Sequence, residues 1–183
     1  MLDPVVAAAL SLAFAVLFGA GAYDKLANVI RFRAVLADYR MLPPSSIAAA
    51  GIGIGLIELA LAVGWLSRWL PLWTAAASAV LFIGYAGAMA ANLVRGRREV
   101  SCGCVFGAAH AGDRLSWSLV IRNGVLAALA LLPALPLTAR VPDWADHAVA
   151  TVAAVALLLI YLAGQQLMGN AAAMRAWRAE PGR

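Results

Sequence analysis

Residues 46–66 read SIAAAGIGIGLIELALAVGWL, and in these 21 residues the single charge is Glu58, close to the middle. A helix of that length rises about 30 Å, the thickness of a bilayer's hydrocarbon core. The stretch therefore predicts a membrane span. Gly51, Gly55 and Glu58 follow an i, i+4, i+7 spacing and share one helix face. The small-xxx-small pair on that face lets a neighbouring helix approach closely and turns the carboxyl into a bundle rather than toward lipid. The glycines do not form a nucleotide loop: no strand precedes them, and the third-glycine spacing of a dinucleotide fingerprint is missing. A carboxyl inside a span is expensive and points to a function with a partner, the plain alternative being an interhelical hydrogen bond. Arg122 is the first candidate partner and Lys25 the second.

The rest of the chain has the same character. Of its 183 residues 64% are hydrophobic and 13% charged, about half the charge of a soluble domain. Mean hydropathy is +0.85. The expectation is an all-α, polytopic membrane protein forming one transmembrane domain over residues 1–183. Its spans are predicted near 5–23, 46–66, 72–94, 115–135 and 147–164. The first run lacks a basic n-region and a convincing cleavage site, so it reads as a retained span. Residues 24–42 keep a helical beat that continues the first helix or lies along the membrane surface until Pro43-Pro44 stops it. Ser45 or Ser46 can cap the second span. Gly84 and Ala88 suggest another small-residue seam. Most of the six tryptophans fall near span ends, as in an interfacial belt.

The net charge of +5 is not a nucleic-acid signal, because the basic residues sit in connectors between apolar runs. With five spans, one side collects Lys25, Arg31, Arg33, Arg40, Arg95, Arg97, Arg98, Arg114, Arg175, Arg178 and Arg183, and the other only Arg68 and Arg140. That asymmetry predicts the N-terminus outside, the C-terminus inside, and the connector of residues 95–114 at the cytoplasmic face.

This connector holds both cysteines of the chain, in Ser101-Cys102-Gly103-Cys104-Val105-Phe106-Gly107. Two inert small residues at a helix end are the plain reading. Against it stand the polar setting, the glycine between them and the lack of any other cysteine. Gly103 lets the backbone fold so that the sulfurs meet, and so small a ring is strained and easily reduced. Arg95, Arg97 and Arg98 favour the thiolate. A redox-active Cys102–Cys104 disulfide is the first reading. The alternative is a soft-metal or small-molecule carrier, in which Cys102, Cys104 and His110 are the candidate metal ligands. No cofactor is firmly implied, and the residues do not decide whether a quinone takes part. Arg122 and Asn123 approach the same membrane face as the dithiol, though Arg122 can equally snorkel to the interface. Lys25 and Tyr39 carry the same plain reading. Trp117 is near enough in sequence to shield the dithiol. His147 carries no assigned role.

Three blocks resemble the MauE family, the methylamine-utilisation membrane proteins of the broader DoxX-like group. They are Lys25-Leu26 through Tyr39-Arg40-Met41-Leu42-Pro43; Ile57-Glu58-Leu59-Ala60-Leu61; and Cys102-Gly103-Cys104-Val105-Phe106-Gly107 with Leu115-Ser116-Trp117 and Val120-Ile121-Arg122-Asn123. Val105 interrupts the family's usual C-x-C-F-G. The likeness covers about residues 15–132, a four-helix unit, with the fifth span and tail outside it. It implies a bacterial inner-membrane protein supporting disulfide formation or maturation of exported proteins, with a thioredoxin-like partner. On that reading Cys102 and Cys104 exchange electrons, Arg122 tunes the thiolate, and Glu58 serves structure or proton movement. Exported-protein chemistry is periplasmic, whereas the charge count puts the cysteines inside. A Cys loop dipping between the helices, or a reversed topology, would reconcile the two.

Overall fold

A computed structural model describes residues 1–97, 100 and 115–178 of the chain, with residues 172–173 and 175–178 described in backbone only. Six α-helices carry the described fold: α1 (Pro4–Ala27), α2 (Val29–Tyr39), α3 (Ile47–Ser67), α4 (Pro71–Val94), α5 (Trp117–Leu131) and α6 (Trp144–Arg178). Five segments are long and apolar enough to cross a membrane: Pro4–Ala27, Pro44–Ser67, Pro71–Val94, Trp117–Ala134 and Trp144–Ala171. At 11 residues, α2 is too short to span. The protein is thus a polytopic all-α membrane protein. Among the described residues there is no strand, only an isolated bridge between Leu2 and Leu137.

Local chemistry explains the ends of the elements. Asp3 caps α1, its side chain accepting from the Val5 N–H at 2.8 Å, and Pro4 occupies the first turn, where its missing N–H costs nothing. α1 does not stop at Asp24-Lys25 but runs to Ala27. Those adjacent residues lie about 100° apart around the helix. Asp24 turns outward to Arg31 and Asn28, while Lys25 turns into the bundle. The break falls at Asn28, so α2 is a separate short helix. Ser46 does not cap α3 with its side chain. Its hydroxyl donates back to the Pro43 carbonyl, and a 3-10 turn over Pro44–Ser46 leads into α3. α5 begins at Trp117 and ends in a 3-10 turn over Leu132–Ala134, which admits Pro133.

α1 packs on α3 and also on α6, while α4 packs on α5. The main core joins Leu10, Phe14 and Phe18 of α1 to Leu61 and Trp65 of α3, with Ala75, Ala79 and Phe82 of α4 and Ala127 and Ala130 of α5. Phe14 stacks on Trp65 with centroids 5.3 Å apart, and the Trp65 N–H donates to Ser78 Oγ at 3.0 Å. Trp65 is thereby an internal residue. Trp69, Trp73, Trp117 and Trp144 stay exposed at helix ends, as an interfacial belt requires.

The small-residue face of α3 works as the spacing suggests. Gly51 packs against Phe32, Arg33 and Leu36 of α2, and Gly55 against Leu26 and Lys25 of α1. Gly84 does not form a helix seam: a Cβ added there meets nothing within 4 Å. One end of the bundle gathers the N-terminus and the α5–α6 loop, where the Leu2 N–H donates to the Pro136 carbonyl and the Thr138 N–H to the Leu2 carbonyl. The opposite end gathers Tyr39, Met89, Leu93, Val100 and Leu115. With Lys25 inside the bundle, ten basic residues against two remain in the connector tally.

Gly55→Ala is expected to lower thermal stability in detergent, since the new methyl would stand 2.8 Å from Leu26 Cδ2. Gly84→Ala, with open space around it, should be neutral or raise stability by up to about 1 kcal/mol through helix propensity. Thermal unfolding of the two variants side by side checks this.

Candidate functional site

The site grows from Glu58. Its carboxylate accepts from Lys25 Nζ at 3.0 Å on Oε1 and 2.8 Å on Oε2, and Tyr85 Oη of α4 donates to Oε1 at 2.7 Å. Both charged side chains are 5% exposed. Lys25 Nζ also stands 5.3 Å from the Phe32 ring centroid and 5.8 Å from that of Tyr85. Three hydrogen bonds and two aromatic faces thus replace the water that the charges lost, the condition under which a buried ion pair is tolerable. Gly21 makes the room: a Cβ there would fall 2.7 Å from Glu58 Oε2.

A second polar group lies on α5. Arg122 donates to Gln165 Oε1 of α6, and its guanidinium stands 5.8 Å from the Tyr161 ring centroid. Gln165 Nε2 donates to Tyr161 Oη at 3.2 Å. Arg122 is therefore not the partner of Glu58; Lys25 is. The Gly51–Gly55 face seats the end of α1 directly on α3, whereas Arg122 turns toward α6. Neither cation simply snorkels out of the bundle. Asn123 is 2% exposed and donates to the Leu119 carbonyl at 2.9 Å. Asn92 is fully buried and donates to the Ala88 carbonyl, while its Oδ1 has no partner among the described residues.

Both polar groups line one cavity of about 420 Å³, together with Asn123, Phe18, Phe32, Tyr39 and Met89. Its wall is overwhelmingly apolar. The flank of α4 at Val80 and Gly84 contributes to it and is exposed on the outside of the bundle, so the cavity opens sideways. Cys102, Cys104, His110, Arg98 and Arg114 lie outside the described residues. Arg95 and Arg97 lie at the end of α4, largely at the surface. Among the described residues no three His, Cys, Asp or Glu side chains cluster as a metal site. Trp117 starts α5 half-exposed, and His147 sits in the first turn of α6 with an exposed side chain.

Tyr85, Phe32 and Gly21 were not singled out by sequence reasoning. Tyr85 carried a usable signal, a phenol in the interior of an apolar span, where a hydroxyl seeks a partner. Gly21 carried none apart from its smallness.

These features define a class: a five-span helical membrane protein with a buried lysine–glutamate pair facing a laterally open apolar cavity. The family model described as methylamine utilisation protein MauE matches residues 3–136. Methylamine utilization protein MauE of Paracoccus denitrificans is 36% identical over 184 residues, covering 100% of this chain and 98% of that protein. Those of Paracoccus versutus and Methylophilus methylotrophus are 34% and 33% identical, each over 168 residues and 91% of this chain, covering 89% and 88% of their own lengths. The chain belongs to the MauE family. The family model ends at residue 136, before α6, whereas the match to the Paracoccus denitrificans protein runs on through that helix. No solved structure matches the chain.

Lys25→Met or Glu58→Leu alone should destabilise the protein by about 3–5 kcal/mol, because each strands a buried charge. The double replacement Lys25→Met/Glu58→Leu should recover much of that loss. Gly21→Ala should behave as a weaker version of the Glu58 variant. Midpoints of thermal unfolding in one detergent decide all four.

Proposed function

We propose that this MauE-family protein supports methylamine utilisation as a membrane thiol–disulfide redox protein. Cys102 and Cys104 exchange electrons with a thioredoxin-fold partner during disulfide formation or maturation of an exported client. The activity is that of a thiol–disulfide oxidoreductase. A thiolate of the partner attacks one sulfur of the Cys102–Cys104 disulfide, forming a mixed disulfide and releasing the other sulfur as thiolate. The partner's second thiol then resolves the mixed disulfide, leaving the partner oxidised and this pair reduced. Run backward, the same two steps reduce the partner. Two electrons and two protons move in either direction, and no other reagent is consumed.

One observation carries this reading. Val100 and Leu115, the residues that flank positions 101–114 in the sequence, are both buried in the cluster of Tyr39, Met89 and Leu93. Tyr39 and Met89 in turn line the cavity that holds Lys25, Glu58 and Arg122. The residues on either side of the dithiol stretch are thus packed beside the charged cavity, and a reactive segment works best when its flanks are held near its site. The protein resides in the inner membrane with its N-terminus outside and C-terminus inside, as ten basic connector residues against two support.

Cys102→Ser and Cys104→Ser should each abolish growth on methylamine in a strain that depends on this protein, and one should accumulate a covalent, reductant-sensitive adduct with the partner. Growth of the double serine variant at the parental rate would refute the redox reading. Stoichiometric metal in reduced, purified protein would favour the carrier reading instead. A membrane-impermeant maleimide should label Cys102 and Cys104 in inside-out vesicles, only after reduction. Labelling in right-side-out vesicles would reverse the topology.

A further inference from the structure

We propose that the 420 Å³ cavity binds the head group of a lipid-soluble quinone. The inference deepens the redox reading above and rests on it for the electron donor, while the binding site stands on its own geometry.

Three features of the cavity select the ligand class. The first is access. Val80 lines the cavity yet is 69% exposed on the outer face of α4, and Gly84, one turn on, does the same. In a five-span protein that face meets acyl chains, so the entrance admits molecules dissolved in the bilayer. The second is shape and chemistry. The volume lies within the usual range of about 300–1,000 Å³ for small-molecule sites, which are mostly apolar with a few fixed polar groups. Aromatic rings of Phe18, Phe32, Phe82 and Tyr85 contribute to the wall and suit a flat ring. The third is an unspent donor. Lys25 has three N–H bonds and gives two to Glu58; beyond those the ammonium meets only the Phe32 and Tyr85 rings, and no oxygen acceptor for its third N–H lies among the described residues. This 95%-buried ammonium lines the cavity, and a quinone carbonyl is an acceptor that fits it.

The electron count closes. Oxidation of the Cys102–Cys104 dithiol to the disulfide releases two electrons and two protons. A quinone takes up both and becomes a hydroquinone. The protons must reach a carbonyl within the membrane, where water is scarce. Glu58, held between Lys25 and Tyr85, is a carboxyl on the cavity wall able to pass them.

Protein purified in mild detergent is to be extracted with organic solvent for quinone, and delipidated protein titrated with a short-chain ubiquinone by calorimetry. About one quinone per chain and a saturable titration are expected. Gly84→Leu, whose Cβ would stand in open space, should place its side chain at the cavity entrance and weaken the titrated affinity about tenfold or more. Lys25→Met/Glu58→Leu should do the same if it folds; the Gly84 variant decides if it does not. Cys102→Ser/Cys104→Ser should bind the quinone as the parent does but fail to reduce it. Absence of binding, a phospholipid or fatty acid extracted in its place, or unchanged affinity in Gly84→Leu would overturn the proposal. Normal binding with normal quinone reduction in the double serine variant would instead overturn the redox reading and leave the site standing.

Discussion

Everything in the bundle is arranged around one buried contact, the pair of Lys25 and Glu58. In hydrocarbon neither charge can be left alone, and neither can be hydrated. The pair therefore fixes three helices at once: α1 carries the ammonium, α3 the carboxylate, and α4 the Tyr85 hydroxyl that takes the second lone-pair direction of Oε1. Sliding α1 or α3 by a turn would strand a charge, and sliding α4 would take the Tyr85 hydroxyl from Oε1. Hydrophobic packing alone cannot set such a register in a membrane, because lipid is as apolar as the helix surfaces. The glycines serve the same end: Gly21 clears space beside the carboxylate and Gly55 lets the end of α1 close on α3.

The cavity follows from this arrangement. Charged and hydroxyl groups hold α1, α3 and α4 together at one depth, and close apolar packing is confined to the half of the bundle around Phe14, Trp65 and Phe82. Toward the other end, the short α2 lies against Gly51 instead of continuing α1, which leaves the space between α2, α4 and α5 unfilled. Tyr39 and Met89 then belong both to the cavity wall and to the cluster that anchors Val100 and Leu115. Structural economy of this kind packs Val100 and Leu115 next to a charged chamber.

How much of this was legible in the sequence differs by scale. The spans were readable because a bilayer demands about twenty apolar residues and little else, and an uncharged run such as 5–23 admits one interpretation. The inward face of Gly51, Gly55 and Glu58 was readable from helical periodicity. The partner of Glu58 was misassigned, since choosing between Lys25 and Arg122 depends on which helix lies against that face, and spacing within one helix does not carry that information. Lys25 looked like a span terminus because a lysine ordinarily ends one; its counter-ion 33 positions away cancels that signal. The Gly84–Ala88 pair shows the reverse error: the same small-residue spacing that packs a helix on α3 borders open space on α4.

Arg122 shows why α6 belongs to the working unit. Its guanidinium lies on α5 within the apolar band, where a membrane protein must supply either a path to the interface or a polar neighbour. The neighbour comes from α6, through Gln165 and the face of Tyr161. Elsewhere α6 is sparsely buried, with Ala150 and Ala154 as its tight points, and it packs mainly on α1. A helix so loosely held would be dispensable if its task were packing alone. It also closes one side of the cavity with Tyr161 and gives the Arg122 guanidinium a hydrogen-bond acceptor there, Gln165 Oε1. The match to one relative runs through this helix although the family model ends at residue 136, and without α6 the Arg122 guanidinium would lose both Gln165 and the Tyr161 ring.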